Sequence, residues 1–360
     1  MNKQIYTSIL LFICLFSGQT IKSQDSINNL NPKVDFSGYI ETYYSYDFNK
    51  PETGIRQPFL YTYNRHNEFN INLALIKVSV SNTKYRANLA IQSGTYVSDN
   101  YAAEDEELRM INEANVGISL NSKNNLWLDA GILPSHIGFE SAIGPNNQNL
   151  TRSLLAENSP YFLTGVKLTY DPSSKWLMSV SVFNGWQRIK RLEGNSLLSL
   201  GTQLTYKKSD RLLFNWSTFI GKEAYGADFG MRYFSNLYWD NAWSDKWRTI
   251  LGFDFGAQDI SPIKEEYKTW LTPTLITQYS ISNKWQMAYR IEYFQDKNNI
   301  MATTAMPFET LGNSLNFDFL PNSKMKIRTE GKWFHATESI FDLETKKDNF
   351  SVTTTMSFEF

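Results

Sequence analysis

Apolar and polar residues alternate with a period of two along much of the chain. Trp285, Met287, Tyr289, Ile291 and Tyr293 share one face; Gln286, Ala288, Arg290 and Glu292 share the other. Trp247, Thr249, Leu251, Phe253 and Phe255 oppose Arg248, Ile250, Gly252 and Asp254, and Tyr85, Ala87, Leu89 and Ile91 oppose Arg86, Asn88, Ala90 and Gln92. A two-residue period marks β-strands whose faces meet different surroundings. The second face carries Arg and Glu together, which a dry core does not hold unpaired. The pattern predicts apolar side chains turned outward to lipid and polar ones turned inward to water.

Short turns punctuate this alternation at Asn82-Thr83-Lys84, Ser122 to Asn125, Asp171 to Ser174, Lys208-Ser209-Asp210, Asn241 to Asp245, Ser282-Asn283-Lys284 and Pro321-Asn322-Ser323. Asn and Asp tolerate left-handed backbone, Pro presets φ, and Ser bonds its own backbone. Longer polar stretches lie between them, at 49–65, 98–108, 134–160, 187–195, 221–226, 257–268, 295–307 and 336–349. Short connections at one end and long ones at the other predict an all-β, up-and-down antiparallel transmembrane barrel over 34–360, with about sixteen strands. An even count puts both termini on the short-turn, periplasmic side.

Aromatic residues mark the strand ends. Lys175-Trp176, Lys246-Trp247 and Lys284-Trp285 repeat one device after a turn, and Tyr85 and Trp127 hold related positions. Tyr85, Trp127, Trp176, Trp247 and Trp285 are expected to form a girdle at the membrane–water boundary, ring in lipid and polar edge wet. The chain ends in Ser357-Phe358-Glu359-Phe360. Phe358 and Phe360, on an alternating last strand, resemble the signal read by the barrel assembly machinery.

The N-terminal stretch reads as a secretory signal peptide over 1–23: Lys3, an apolar run from Ile9 to Phe16, and Ser23 before a cut at Gln24. That run is far shorter than the roughly 20 residues of a spanning helix. Cys14 lies within it behind Ile13, and reads as part of the leader instead of a lipid-bearing residue. Residues 24–33 are then a short periplasmic segment, too small for a plug. No cysteine lies beyond the leader, so nothing is held by disulfides. The absence of long apolar runs after the leader excludes spanning helices. A net charge of −1 without a basic run leaves no nucleic-acid footprint. Three scattered histidines give no metal spacing, and no Gly-rich phosphate loop is visible, so neither metal nor cofactor is expected.

A sixteen-strand barrel leaves an aqueous channel. The lumen face holds Glu41, Arg86, Glu113, Asp129, Lys167, Arg211, Arg248, Asp254, Arg290, Glu292, Arg328 and Glu330. The mixed signs predict weak ion selectivity, some of these charges serving as wall salt bridges. The longest loop, the third, carries Gly138-Phe139-Glu140 and Gly144-Pro145, then a short helix on which Leu150 and Leu154 pack one side. Asn149 or Thr151 is placed to cap it, and Pro160 to halt any continuation. Glu140, Arg152 and Glu157 are expected to line a constriction; the alternative is that the loop only covers the outer mouth.

The stretch from Gly131 to Tyr170 resembles the signature block of the outer-membrane β-barrel porin family described as OmpL-like. The pieces are Gly-Ile-x-Pro, Gly-x-Glu, Thr-Arg-Ser, Ala-Glu-Asn-Ser-Pro and a Gly-x-Lys-Leu strand after them. The resemblance implies a Gram-negative porin and leaves the solute undefined. The expected function is passive diffusion of small hydrophilic solutes through the outer membrane. Two other readings stay open. One is an accessory or scaffold barrel with little conductance, using Glu104-Asp105-Glu106-Glu107 and aromatic loops. The other is a barrel hydrolase using His66, His136 or His335, which lack partners at motif spacing. No flattened apolar face marks an interface, so association of barrels also stays open.

Overall fold

Sixteen strands close on themselves in the computed structural model, which describes residues 31–360 apart from Ala227 and Pro262. The expected leader lies outside the described residues. The strands are β1 (Lys33–Asp47), β2 (Phe69–Ser81), β3 (Tyr85–Ser93), β4 (Ile111–Ser119), β5 (Leu126–Pro134), β6 (Phe162–Ser173), β7 (Trp176–Phe183) and β8 (Ser199–Ser209). They continue with β9 (Leu212–Tyr225), β10 (Asp228–Ala242), β11 (Trp247–Asp259), β12 (Tyr267–Ser280), β13 (Trp285–Asp296), β14 (Phe308–Asn322), β15 (Met325–Ala336) and β16 (Asp348–Glu359). Each pairs antiparallel with its sequence neighbours, and β1 closes on β16. Closure leaves no free edge, so the strands satisfy their main-chain ladders within the barrel apart from local bulges.

The short turns obey their side-chain chemistry. Asn82 Oδ1 accepts from the Lys84 and Tyr85 amides at 2.7 and 2.9 Å, and Asn322 Oδ1 accepts from Lys324 and Met325 at 2.9 and 3.0 Å. The rings beyond them pair across strands. Trp176 meets Tyr206 at 4.5 Å between centroids, Trp285 meets Phe319 at 4.7 Å and Trp247 meets Tyr279 at 5.4 Å. These rings face outward, as does Tyr85. Trp127 faces inward instead. It shares the parity of Asp129, is buried, and lies under the Arg86 guanidinium at 4.4 Å.

One long loop is absent. The stretch 221–226 continues β9, and the chain reverses between Tyr225 and Asp228, where Gly226 takes φ 59°. Its alternation persists, with Glu223 buried inward and Lys222 exposed, so polarity alone misled the expectation. The other long loops carry three short helices, α1 (Thr95–Asn100), α2 (Glu106–Arg109) and α3 (Leu154–Glu157).

The interior has two layers. Towards the short-turn end the inward side chains are mostly polar, with Trp127, Ile250 and Ile276 among them. Towards the long-loop end Phe219, Phe234, Trp270, Phe294, Phe308 and Phe334 also point inward. There they meet Phe59 and Leu60 of the first loop, Ile137 and Leu154 of the third, and Ile340 and Phe341 of the eighth. A uniformly polar lumen is therefore corrected. The infolded loops supply dry partners for these rings, and each buried ring contributes about 2 kcal/mol.

Candidate functional site

The third loop, residues 135–161, folds into the barrel and is fastened to two walls. At its root, His136 Nε2 donates to the Thr218 carbonyl at 2.9 Å, and Ser217 Oγ donates to the His136 carbonyl at 2.6 Å. The Gly138 amide donates to Asn236 Oδ1 at 3.2 Å. These partners sit on β9 and β10. Across the lumen, β13 to β15 grip the rest of the loop. Arg290 donates to the Thr151 carbonyl at 2.6 Å and lies within ion-pair distance of Glu292, Glu330 and Glu140. Glu330 accepts from the Thr151 amide at 2.9 Å, Glu292 accepts from the Leu154 amide at 2.5 Å, and Lys332 donates to the Arg152 carbonyl at 3.0 Å. Deeper down, Arg328 donates to the carbonyls of Gly144, Asn147 and Gln148 at 2.8 to 3.1 Å.

The tip approaches the wall closely, and its Gly144 amide donates to the Tyr39 hydroxyl at 3.1 Å. A Cβ on Gly144 would collide with Glu41 Oε1. Glu41 in turn accepts from Tyr63 and Asn72, both at 2.9 Å, which ties the first loop to the same wall. α3 is capped by Ser153, whose Oγ accepts from the Ala156 amide at 3.2 Å. Neither expected cap, Asn149 or Thr151, takes this place, and Thr151 gives its hydroxyl to Glu330 at 2.5 Å.

The three expected constriction residues are fasteners. The Glu140 carboxylate is buried and accepts from the Ser153 amide and hydroxyl. Arg152 is fully buried, donating to the carbonyls of Leu150 and Ala142 at 2.8 Å each. Glu157 accepts from the Tyr61 amide at 2.8 Å and from the Thr62 hydroxyl. Burial pushes the Glu140 and Glu157 carboxyls above the ordinary carboxylate range, and hydrogen bonds and nearby cations pull them back only in part. Sequence spacing showed polar residues on this loop but not that the main chain would satisfy them.

Open space lies on the other side of the loop. A cleft of about 420 Å³ is bounded by Ser135 and by Ile137 to Ile143 of the loop, by Lys77 of β2 and Glu113 of β4, and by Tyr238 of β10. Lys77 keeps partial exposure in this cleft, and Arg86 and Lys167, nearer the short-turn end of the same wall, are also partly exposed.

The family model described as "Putative beta-barrel porin-2, OmpL-like" matches residues 33–360. The chain belongs to this family. It is an outer-membrane porin, and solved porin folds resemble it along nearly their whole length. The outer membrane channel DcaP of Acinetobacter baumannii shares 12% identity at a TM-score of 0.61, covering 92% of this chain and 99% of that one. The anion-selective porin from Comamonas acidovorans shares 10% at 0.60, covering 91% and 100%. Salmonella typhi OmpF, in complex with daunomycin, shares 11% at 0.58, covering 93% and 99%. At these identities the likeness is one of fold. No curated protein matches the sequence.

The other expected lumen residues of the porin separate into groups. Arg290, Glu292, Arg328, Glu330 and Glu41 are buried beneath the third loop or the first. Asp254 is buried at mid-barrel, accepting from Asn236 Nδ2 at 2.5 Å. Glu113 and Asp129 lie low against the wall under Lys77 and Arg86, and Arg248 reaches over Asp240. Arg211 is displaced from the wall. It sits in the β8–β9 turn, exposed and paired with Asp245 at 2.5 Å, because the strand starts one residue later. The three histidines are far apart in role. His66 accepts from the Asp47 amide at 3.0 Å, His136 roots the third loop, and His335 pairs with Asp348 at 2.9 Å. No imidazole hydrogen-bonds to a serine or threonine hydroxyl among the described residues. Glu104 of the acidic loop is buried, accepting from the Ile189 and Lys190 amides at 3.0 and 3.1 Å, so it clasps the second loop to the fourth.

Proposed function

We propose that small hydrophilic solutes diffuse passively past the third loop, along the side that faces β2 to β5 and β10. The observation that supports this is the cleft beside an infolded loop whose own charges are spent on anchoring. The short-turn end faces the periplasm in this reading, and Phe358 and Phe360 present the last strand to the assembly machinery. Phe360 supports that role by pairing with Gly38 in both directions, at 2.9 and 3.0 Å, where β16 meets β1. The barrel acts without catalysis.

Reconstituted protein is expected to give stepwise current in planar bilayers and to swell liposomes faster with small sugars and amino acids than with larger ones. Absence of both current and swelling would remove the channel reading. A second reading has its own support: the apolar layer towards the long loops favours an accessory barrel that conducts little. In that case swelling would be absent in the wild type and would appear once the first and third loops are shortened.

A further inference from the structure

Charges on the open side of the lumen are nearly balanced by count but unequal in reach. Lys77 Nζ meets Glu113 at 2.5 Å, with side-chain exposures of 30% and 8%. Arg86 meets Asp129 at 2.5 Å, with exposures of 36% and 4%. Arg248 pairs with Asp240 at exposures of 46% and 15%. In each pair the carboxylate lies against the wall and the cation stands over it. Lys167 adds a whole charge. Its cross-strand neighbour Asp129 is already held by Arg86 Nε and Nη2 at 2.6 and 2.5 Å, and its neighbour on the other side is Ser181. Lys167 makes no ion pair among the described residues. Of the other wall carboxylates, Asp254, Glu292, Asp318 and Glu330 are buried almost completely, and Asp171 is exposed at the rim where β6 turns.

A mobile ion feels what it can approach. Inside a water-filled passage with low-dielectric walls, field lines are focused and screening is reduced. A recessed carboxylate under a guanidinium then presents the positive end of a dipole, while Lys167 presents an uncompensated charge. The geometry points to an anion-preferring passage in which Lys77, Arg86 and Lys167 set the selectivity, and small carboxylate- or phosphate-bearing solutes move ahead of cations. This departs from the weak selectivity that the mixed signs predict, and it rests on the channel reading above.

The test is the reversal potential of the reconstituted porin across a potassium chloride gradient. The expected chloride-to-potassium permeability ratio is roughly 3 or more, as one uncompensated charge a few ångströms from the path produces in a partly screened medium. Lys167→Glu is expected to bring the ratio to unity or below, and Lys167→Gln with Arg86→Gln to do the same if the first variant fails to assemble. Arg211→Gln, in the exposed turn outside the passage, is expected to keep the wild-type ratio. Robust conductance with a wild-type ratio at or below one overturns the anion path and leaves the channel intact. Variants that keep the wild-type ratio overturn the assignment to these residues. No conductance at all overturns the channel reading itself.

Discussion

Arg290 joins the third loop to the barrel wall at the centre of a charged cluster, and its removal is expected to loosen that joint. It is fully buried and donates to the Thr151 carbonyl and hydroxyl at 2.6 and 3.0 Å and to Ser314 Oγ at 2.9 Å. With Lys332 it faces Glu140, Glu292 and Glu330, so two cations meet three carboxylates. Arg290→Ala leaves one cation among three acids in a site that excludes water. Breaking a buried pair in this way costs about 3–5 kcal/mol. Burial raises the Glu140 carboxyl and Arg290 lowers it, so loss of Arg290 raises it further and moves the cost towards the lower end of that range. About 3 kcal/mol is roughly two powers of ten in the opening equilibrium of residues 135–161. The strand ladder keeps its own hydrogen bonds. Hydrogen exchange should accelerate about a hundredfold across the third loop while the strands stay protected, and single channels should become larger and noisier. Loop amides exchanging within threefold of the wild type would refute the idea that this cluster holds the loop in place.

Two further outcomes rest on local chemistry. Burial lowers the His136 imidazole to about 4, with nearby Lys167 acting in the same direction. The depressed folded value means the stabilisation is complete above the ordinary 6.5, declines as pH falls and is lost by about 4. It amounts to about 3 kcal/mol, so thermal unfolding at pH 4.5 should fall well below that at pH 7, and His136→Gln should narrow the gap. Deleting Phe360 removes both closing hydrogen bonds to Gly38 and the ring that fills the space where a Cβ on Gly38 would lie. A loss of about 2–4 kcal/mol and a reduced yield of membrane-inserted barrel are expected, measured by heat-modified gel migration.

Much of the architecture was written in local patterns. Strand number followed from Asn, Ser and Pro turns, whose side chains act on their own main chain and leave a readable mark. Outward faces followed from alternation. Most errors inside the barrel share one cause, which is that lumen contents are long-range. Trp127 looked like a girdle residue by its place after a turn, but one step of parity sends it under Arg86. Phe294 is the inward neighbour of outward Tyr293, and nothing local says that Phe59, from more than two hundred residues earlier, will cover Phe308 at 4.8 Å. Glu140, Arg152 and Glu157 were visible as charges on the right loop. Their partners are mostly main-chain groups, which carry no residue-type signal.

The third loop springs from β5 and β6 and is gripped by β13 and β15, which lie about half the circumference away, so it bridges the hoop from side to side. A thin cylindrical wall is stiff along its strands and soft to flattening. A cross-member resists flattening as a spoke does in a wheel rim. Squeezing from the surrounding bilayer therefore loads the Arg290 and His136 joints before it loads the strand ladder, and the width of the passage becomes a mechanical property of one loop.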